Sequence, residues 1–226
     1  LVPNGSPFEA EKTDQRQQLG IFRVVESGLP LVYLNQLGGQ DELVFDGASF
    51  VLNADRSLVA QLPAWQEKVL VTHWSKGPDG WICAPSETVE IETKNAALYQ
   101  ALVCGVRDYV NKNGFKGVLI GMSGGIDSAL TAAVAVDALG PGRVHCVMMP
   151  SPYTSQESLQ DAAEAARLLG VRLDEINIGP AMAAFDEMLA PFLKGTNSDI
   201  TEENIQSRSR GMALMALSNK FGYMVL

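Results

Sequence analysis

The chain has 226 residues, a formal net charge of −9, and 46% apolar against 19% charged residues. That is length for one large domain or two ordinary ones, with enough apolar content for a packed core. No run of about 18 apolar residues exists to span a membrane, and the negative balance without a Lys/Arg cluster disfavours a nucleic-acid partner. Cys83, Cys104 and Cys146 are odd in number, widely spaced and lack a CxxC, so neither a disulfide framework nor a zinc site is expected. Buried or free thiols in a reducing cytoplasm are expected instead. The opening "LVPNGSPFEAEKTDQR" lacks the basic start and long apolar stretch of a signal peptide. There is no initiator Met, and the chain stops within an apolar run. An internal piece of a longer protein is expected.

Residues 1–85 read as β-rich. "LPLVYLNQLGG" predicts a strand ending in glycines. "ASFVLN" and "SLVAQLP", separated by "ADR", predict a hairpin, and "EKVLVTHW" a further strand. From Ser75 to Thr93 the pattern dissolves into what reads as a linker or edge segment. His73 and His145 each lie in an apolar run and read as sheet-packing residues rather than ligands.

From about Asn95 the period changes. Leu98, Leu102, Val106 and Tyr109 recur every three to four residues and predict an amphipathic helix. Strands and helices then alternate. "KGVLIGM" precedes a helix over 125–139, and "RVHCVMMP" precedes a helix over "TSQESLQDAAEAARLLG", with a capping box from Thr154 to Glu157 and a stop at Gly170. "RLDEINI" precedes "PAMAAFDEMLAPFL". Asp199 is placed to cap a last long helix before "YMVL" begins a strand. Continuous apolar strands between helices predict a doubly wound parallel sheet.

The segment "GMSGGIDS", residues 121–128, falls between a strand and a helix, where α/β sheets bind ligands. Its glycines let backbone N–H groups approach an anion, and the helix N-terminus adds about half a positive charge. Ser123 and Ser128 carry hydroxyl donors. Asp127 would repel a phosphate unless it holds Mg²⁺ bridging to the phosphate oxygens. The alternative is a tight turn with Asp127 merely near a helix start.

"SGGIDS" resembles the SGGxDS signature of the N-type ATP pyrophosphatases, which lack the lysine of the ordinary P-loop. The resemblance implies ATP held by Gly121, Met122, Ser123, Gly124, Gly125, Ile126, Asp127 and Ser128, with cleavage between the α- and β-phosphates. Within that group "DITEENIQSRSRG", "YVNKNGFKGVLIGMSGGIDSAL" and "YTSQESLQDAAEAARLLG" resemble the NAD synthetases, which implies that Asn204 contacts deamido-NAD. A cap followed by a solvated charged turn is the plainer reading of that helix.

"FDGASFVLNADRSLVAQLP" resembles late strands of the nitrilase, or CN-hydrolase, fold, which glutamine-dependent NAD synthetases carry as a glutaminase. "NGSPFEAEKTDQR" is similar to its glutamine-binding segment, implying Ser6 and Lys12 as glutamine contacts; an exposed helix-start charge is the other reading of Lys12.

The resemblance thus implies an α/β chain in two parts. Residues 1–85 would be the C-terminal half of a nitrilase-like αββα glutaminase domain and 86–94 a linker. Residues 95–226 would be the N-terminal half of a doubly wound synthetase domain like the adenine nucleotide alpha hydrolases. The catalytic Glu–Lys–Cys set is expected upstream, and further ATP and Mg²⁺ residues downstream. Implied ligands are ATP, Mg²⁺, deamido-NAD and glutamine or ammonia, in a cytoplasmic homo-oligomer without nucleic acid or membrane. A tRNA-modifying ATP pyrophosphatase and a non-catalytic nucleotide-binding module remain as alternatives.

Overall fold

A computed structural model describes residues 1–78, 80–197 and 199–226. The chain forms two compact units, Leu1–Tyr109 and Val110–Leu226.

In the first unit β1 (Val2–Asn4) leads to helix α1 (Lys12–Ser27) and β2 (Leu31–Asn35). Then follow β3 (Leu37–Gln40), β4 (Leu43–Asp46), β5 (Phe50–Leu52), β6 (Leu58–Gln61), β7 (Trp74–Gly77) and β8 (Gly80–Cys83). β1, β2, β5 and β6 form one sheet in that order, with β1 and β2 parallel and the other pairs antiparallel. β5 and β6 are the expected hairpin. One face of this sheet packs Tyr33, Phe50 and Leu52 against Val24 of α1. Gly20 lets the helix approach closely, since a Cβ there would lie 3.1 Å from the Phe50 ring. The second cluster joins Val51, Val59 and Ala60 to Cys83, with Leu70 and Trp74 against it.

Four expectations are corrected here, and helix α1, anticipated only as a helix start at Lys12, runs to Ser27. "LPLVYLNQLGG" is two strands, because β3 leaves the sheet to pair with β4. "EKVLVTHW" is irregular up to His73; Val69 and Val71 are exposed, and the strand begins only at Trp74. The segment from Ser75 to Thr93, read as a linker or edge segment without a strand pattern, carries most of the β7–β8 hairpin, which ends before residues 86–94. His73 is exposed and outside any strand.

Helix α2 (Lys94–Lys112) follows. Its buried residues include Ala97, Cys104 and Val110, while Leu98, Leu102 and Tyr109 of the expected apolar stripe stay exposed. The second unit continues with β9 (Val118–Met122), α3 (Ile126–Leu139), β10 (Val144–Met148), α4 (Gln156–Leu169), β11 (Arg172–Glu175), α5 (Gly179–Leu193), α6 (Ile200–Phe221) and β12 (Met224–Val225). The sheet order is β11-β10-β9-β12, all parallel. The chain therefore runs outward from β9 to β11 and returns to β12 on the far side of β9. That reversal is a topological switch point, whose crevice at the strand carboxyl ends is where open α/β sheets take ligands.

Leu119 and Val147 face α5 and α6, in a cluster with Ile178, Met182, Ile205 and Leu217. Residues between them along the strands, Val118, Ile120 and Cys146, are buried too, as strands covered on both faces require. His145 is buried in β10, as expected of a sheet-packing residue, and its Nε2 lies 2.9 Å from Asp174 Oδ2. The three cysteines are buried, and none is in a disulfide. Burial pushes the Cys146 thiol up to about 11, so it stays protonated and unreactive near neutral pH.

The helix ends follow their caps, with one correction. Ser155, not Thr154, caps α4, accepting from the Ser158 N–H at 3.1 Å. Thr154 Oγ1 instead accepts from the Ser151 N–H. Asp199 caps α6 in a full capping box with Glu202.

Candidate nucleotide-binding site

Ser123, Gly124 and Gly125 connect β9 to α3. Gly124 has φ +85°, and a Cβ there would meet Ser158 O at 2.2 Å and Ser158 Cα at 2.8 Å. Only glycine fits both the backbone angle and the approach to the first turn of α4. The loop is tied to itself. Ser123 N–H donates to Ser128 Oγ at 3.2 Å, Gly125 N–H to Ser123 Oγ at 3.3 Å, and Ser128 Oγ–H to Gly125 O at 3.0 Å. The two hydroxyls lie 3.1 Å apart. The Ser128 hydroxyl thus shapes the loop rather than reaching outward. No side chain caps α3, so its first-turn N–H groups keep no side-chain partner, the condition under which helix N-termini can take anions.

Asp127 is exposed in that first turn, and its carboxylate has no partner among the described residues. Those residues include no cluster of three or more potential metal ligands. A lone carboxylate suits Mg²⁺, which takes most of its ligands from phosphates and water.

A cleft of about 570 Å³ opens beside the loop. Gly121, Met122 and Ser123 line one part of it, with Met148 at the end of β10 and Met149 and Pro150 after it, the start of α4 (Ser155, Ser158), and Ser207, Arg210 and Leu214 of α6. A Cβ on Gly121 would come 3.3 Å from both Leu214 and Met149, so α6 closes over the strand end.

Arg210 was not singled out from sequence. Its Nε donates to Met149 O at 3.1 Å, and no carboxylate pairs with it among the described residues. Burial draws the guanidinium below its usual pKa, though arginine stays charged. An unpaired, partly buried cation in a cleft calls for an anion. In the string "SRSRG" Arg210 lies three and four residues from Ser207 and Leu214, hence on one helix face, a spacing that marks it out only once the cleft is known.

Asn204 is exposed, makes no side-chain hydrogen bond among the described residues, and does not line the cleft. It lies three and seven residues before Ser207 and Gly211, so it continues the cleft-facing side of α6 by one turn.

In the first unit Ser6 and Lys12 line a separate cavity of about 230 Å³. Lys12 opens α1, with its side chain 25% exposed and its ammonium paired with Glu9. It is therefore neither free nor fully solvated.

A family model described as NAD synthase matches residues 98–226, more than half of the chain. The chain belongs to the NAD synthase family. Among curated relatives, the glutamine-dependent NAD(+) synthetase of Rhodobacter capsulatus is 54% identical over 226 residues, covering all of this chain and 41% of the relative. That of Acinetobacter baylyi is 44% identical, again over 41% of its length. The chain thus spans about two fifths of these NAD synthase relatives. Among solved structures, glutamine-dependent NAD+ synthetase from Acinetobacter baumannii in complex with ADP superposes with a TM-score of 0.92 at 43% identity, covering all of this chain and 43% of that one.

Proposed function

We propose that the full-length protein is a glutamine-hydrolysing NAD⁺ synthase, a ligase that amidates deamido-NAD at the expense of ATP. Residues 95–226 hold ATP, and residues 1–85 belong to a nitrilase-like glutaminase domain, joined by 86–94. The observation that carries the reading is an anion cradle without a lysine, Ser123–Ser128, whose Ser123 lines the same cleft as Arg210, a cation with no carboxylate partner among the described residues. The names of the relatives, including one solved with ADP, support it.

The chemistry runs in two steps. A carboxylate oxygen of deamido-NAD attacks the α-phosphorus of ATP, the bond to the β-phosphate bridge breaks, and pyrophosphate leaves with its electron pair. Ammonia then attacks the activated carbonyl carbon, AMP departs, and the ammonia proton is lost to solvent. The amides of the α3 first turn receive the charge that grows on the departing pyrophosphate, and Arg210 supplies the positive charge a P-loop takes from lysine. Asp127 would hold Mg²⁺, which supplies charge neutralisation on the phosphates. Ser6 and Lys12 hold glutamine, and Asn204 meets deamido-NAD at the mouth of the cleft. Ammonia generated in one domain and used in the other avoids protonation to NH₄⁺, which has no lone pair.

The products decide the matter. Full-length protein given glutamine, ATP and deamido-NAD should form NAD⁺, AMP and pyrophosphate in equal amounts, followed by ³¹P spectroscopy. ADP and phosphate would overturn the assigned bond cleavage. Binding of ATP without turnover would favour a nucleotide-binding module, and a tRNA gel shift at physiological salt would favour a tRNA-modifying enzyme.

A further inference from the structure

Arg16 is a charged residue buried in the first unit, 6% exposed, and it has no part in the reading above. It makes five hydrogen bonds, as many as a guanidinium has N–H groups. Nη1 donates to both carboxylate oxygens of Asp46 at 2.7 Å. Nη2 donates to the backbone oxygens of Ser6 and Pro7, both at 2.9 Å. Nε donates to Ser6 Oγ at 3.1 Å. Asp46 is 1% exposed. Asn35 completes the clamp, accepting from the Ser6 N–H at 2.9 Å and donating to Ser6 O at 3.2 Å.

Two consequences follow from donor arithmetic. Arg16 lines the 230 Å³ cavity, yet it has no N–H left for a ligand there. Ser6 Oγ spends a lone pair on Arg16, and its own hydrogen has no acceptor among the described residues. The hydroxyl is therefore left as a donor in the cavity that Lys12 also lines, and the Lys12 ammonium, paired with Glu9, is a donor only. Two donors lining one cavity suit a carboxylate.

We propose that Arg16, held by Asp46, is a positioning residue that fixes Ser6 and orients its hydroxyl to donate to the α-carboxylate of the cavity's ligand. This rests on the glutamine reading of that cavity. Lysine cannot copy the device, because three donors on a flexible stem replace a planar fork of five.

The test uses full-length Ser6→Ala, Arg16→Lys and the double variant, with KM and kcat for glutamine hydrolysis and the rate of ammonia-driven NAD⁺ formation. Each single change should raise the glutamine KM about tenfold, the loss of one ligand hydrogen bond, with kcat within about threefold as expected when ground-state and transition-state binding fall together. The double variant should be no worse than Arg16→Lys alone, because both act through one hydroxyl. Ammonia-driven synthesis should hold. Penalties that multiply in the double variant, or an Arg16→Lys that slows both nitrogen donors alike, would overturn the role given to Arg16. Should Arg16→Lys not fold, glutaminamide in place of glutamine decides the orientation. The Ser6→Ala penalty should shrink to about twofold, since the charge-assisted bond to the carboxylate is gone from both forms. An equal penalty for both substrates would overturn the proposal. Wild-type protein that releases no glutamate from glutamine would sink the glutaminase reading itself, and the proposal with it.

Discussion

Asp127 and Gly124 show how differently single residues are committed. At Gly124 the backbone decides: φ +85° and a Cβ overlap with Ser158 leave no other residue, and strain in such a region costs about 1–3 kcal/mol by itself. Asp127 is the reverse case. No described residue holds its carboxylate, so its identity is free to serve a ligand. If it binds Mg²⁺ on the pyrophosphate, Asp127→Asn should leave thermal stability unchanged. Synthesis from glutamine and from ammonia should both fall on the order of 10²–10³, the scale for losing one preorganised charge. Glutamate release should persist. Near-normal synthesis at saturating Mg²⁺ would remove Asp127 from the site.

Elements differ in how plainly the sequence announces them. β9 and α3 were legible, because a strand buried on both faces is a continuous apolar run and the turn after it needs glycines. Beyond a start at Lys12, helix α1 was not: its buried positions are Arg16, Gly20 and Val24, a charge, a glycine and one aliphatic residue, which do not read as an apolar stripe. In α2 the period gave the helix but not its buried face, because Ala97 and Cys104 are small and Leu102, which carried the pattern, is exposed. The run over 67–73 misled because Val69 and Val71 stay exposed while only Leu70 packs on the core. Helix α6 was legible in its cap and missed in Arg210, since one arginine in "SRSRG" has no distinguishing spacing until the cleft is seen. The same helix makes a clean test of Asn204. An exposed, unpartnered asparagine contributes nothing to the fold, and alanine is the better helix former by several tenths of a kcal/mol. Asn204→Ala should therefore leave melting unchanged or slightly raised. It should weaken deamido-NAD by about 1–3 kcal/mol if a ligand group is left unpaired, with ATP affinity nearly unchanged by calorimetry. Loss of ATP affinity alone would put Asn204 in the nucleotide pocket, and no change in either would make the helix structural.

At the scale of the molecule, the two units carry separate cavities, each lined by donors and a cation. The cleft of the second unit is lined by Ser123 of the loop and by Arg210, and polyphosphate is its proposed ligand. The cavity of the first unit offers a hydroxyl and an ammonium and suits a small carboxylate. No helix is long and apolar enough to cross a membrane among the described residues. The division of labour predicts a split that no folding defect would imitate. Lys12 stands at the first turn of α1, and Glu9 is its partner within the protein. Such an exposed pair contributes little to stability, so Lys12→Ala should fold normally. Its loss should raise the glutamine KM of the full-length enzyme about tenfold, the scale of one charge-assisted hydrogen bond. Ammonia supplied in solution bypasses the first unit, so ammonia-driven NAD⁺ formation should stay within a few-fold of wild type. Parallel loss with both nitrogen donors would mean that Lys12 supports the fold or the coupling of the two units rather than glutamine, and the cavity around Ser6 would then lose its cation.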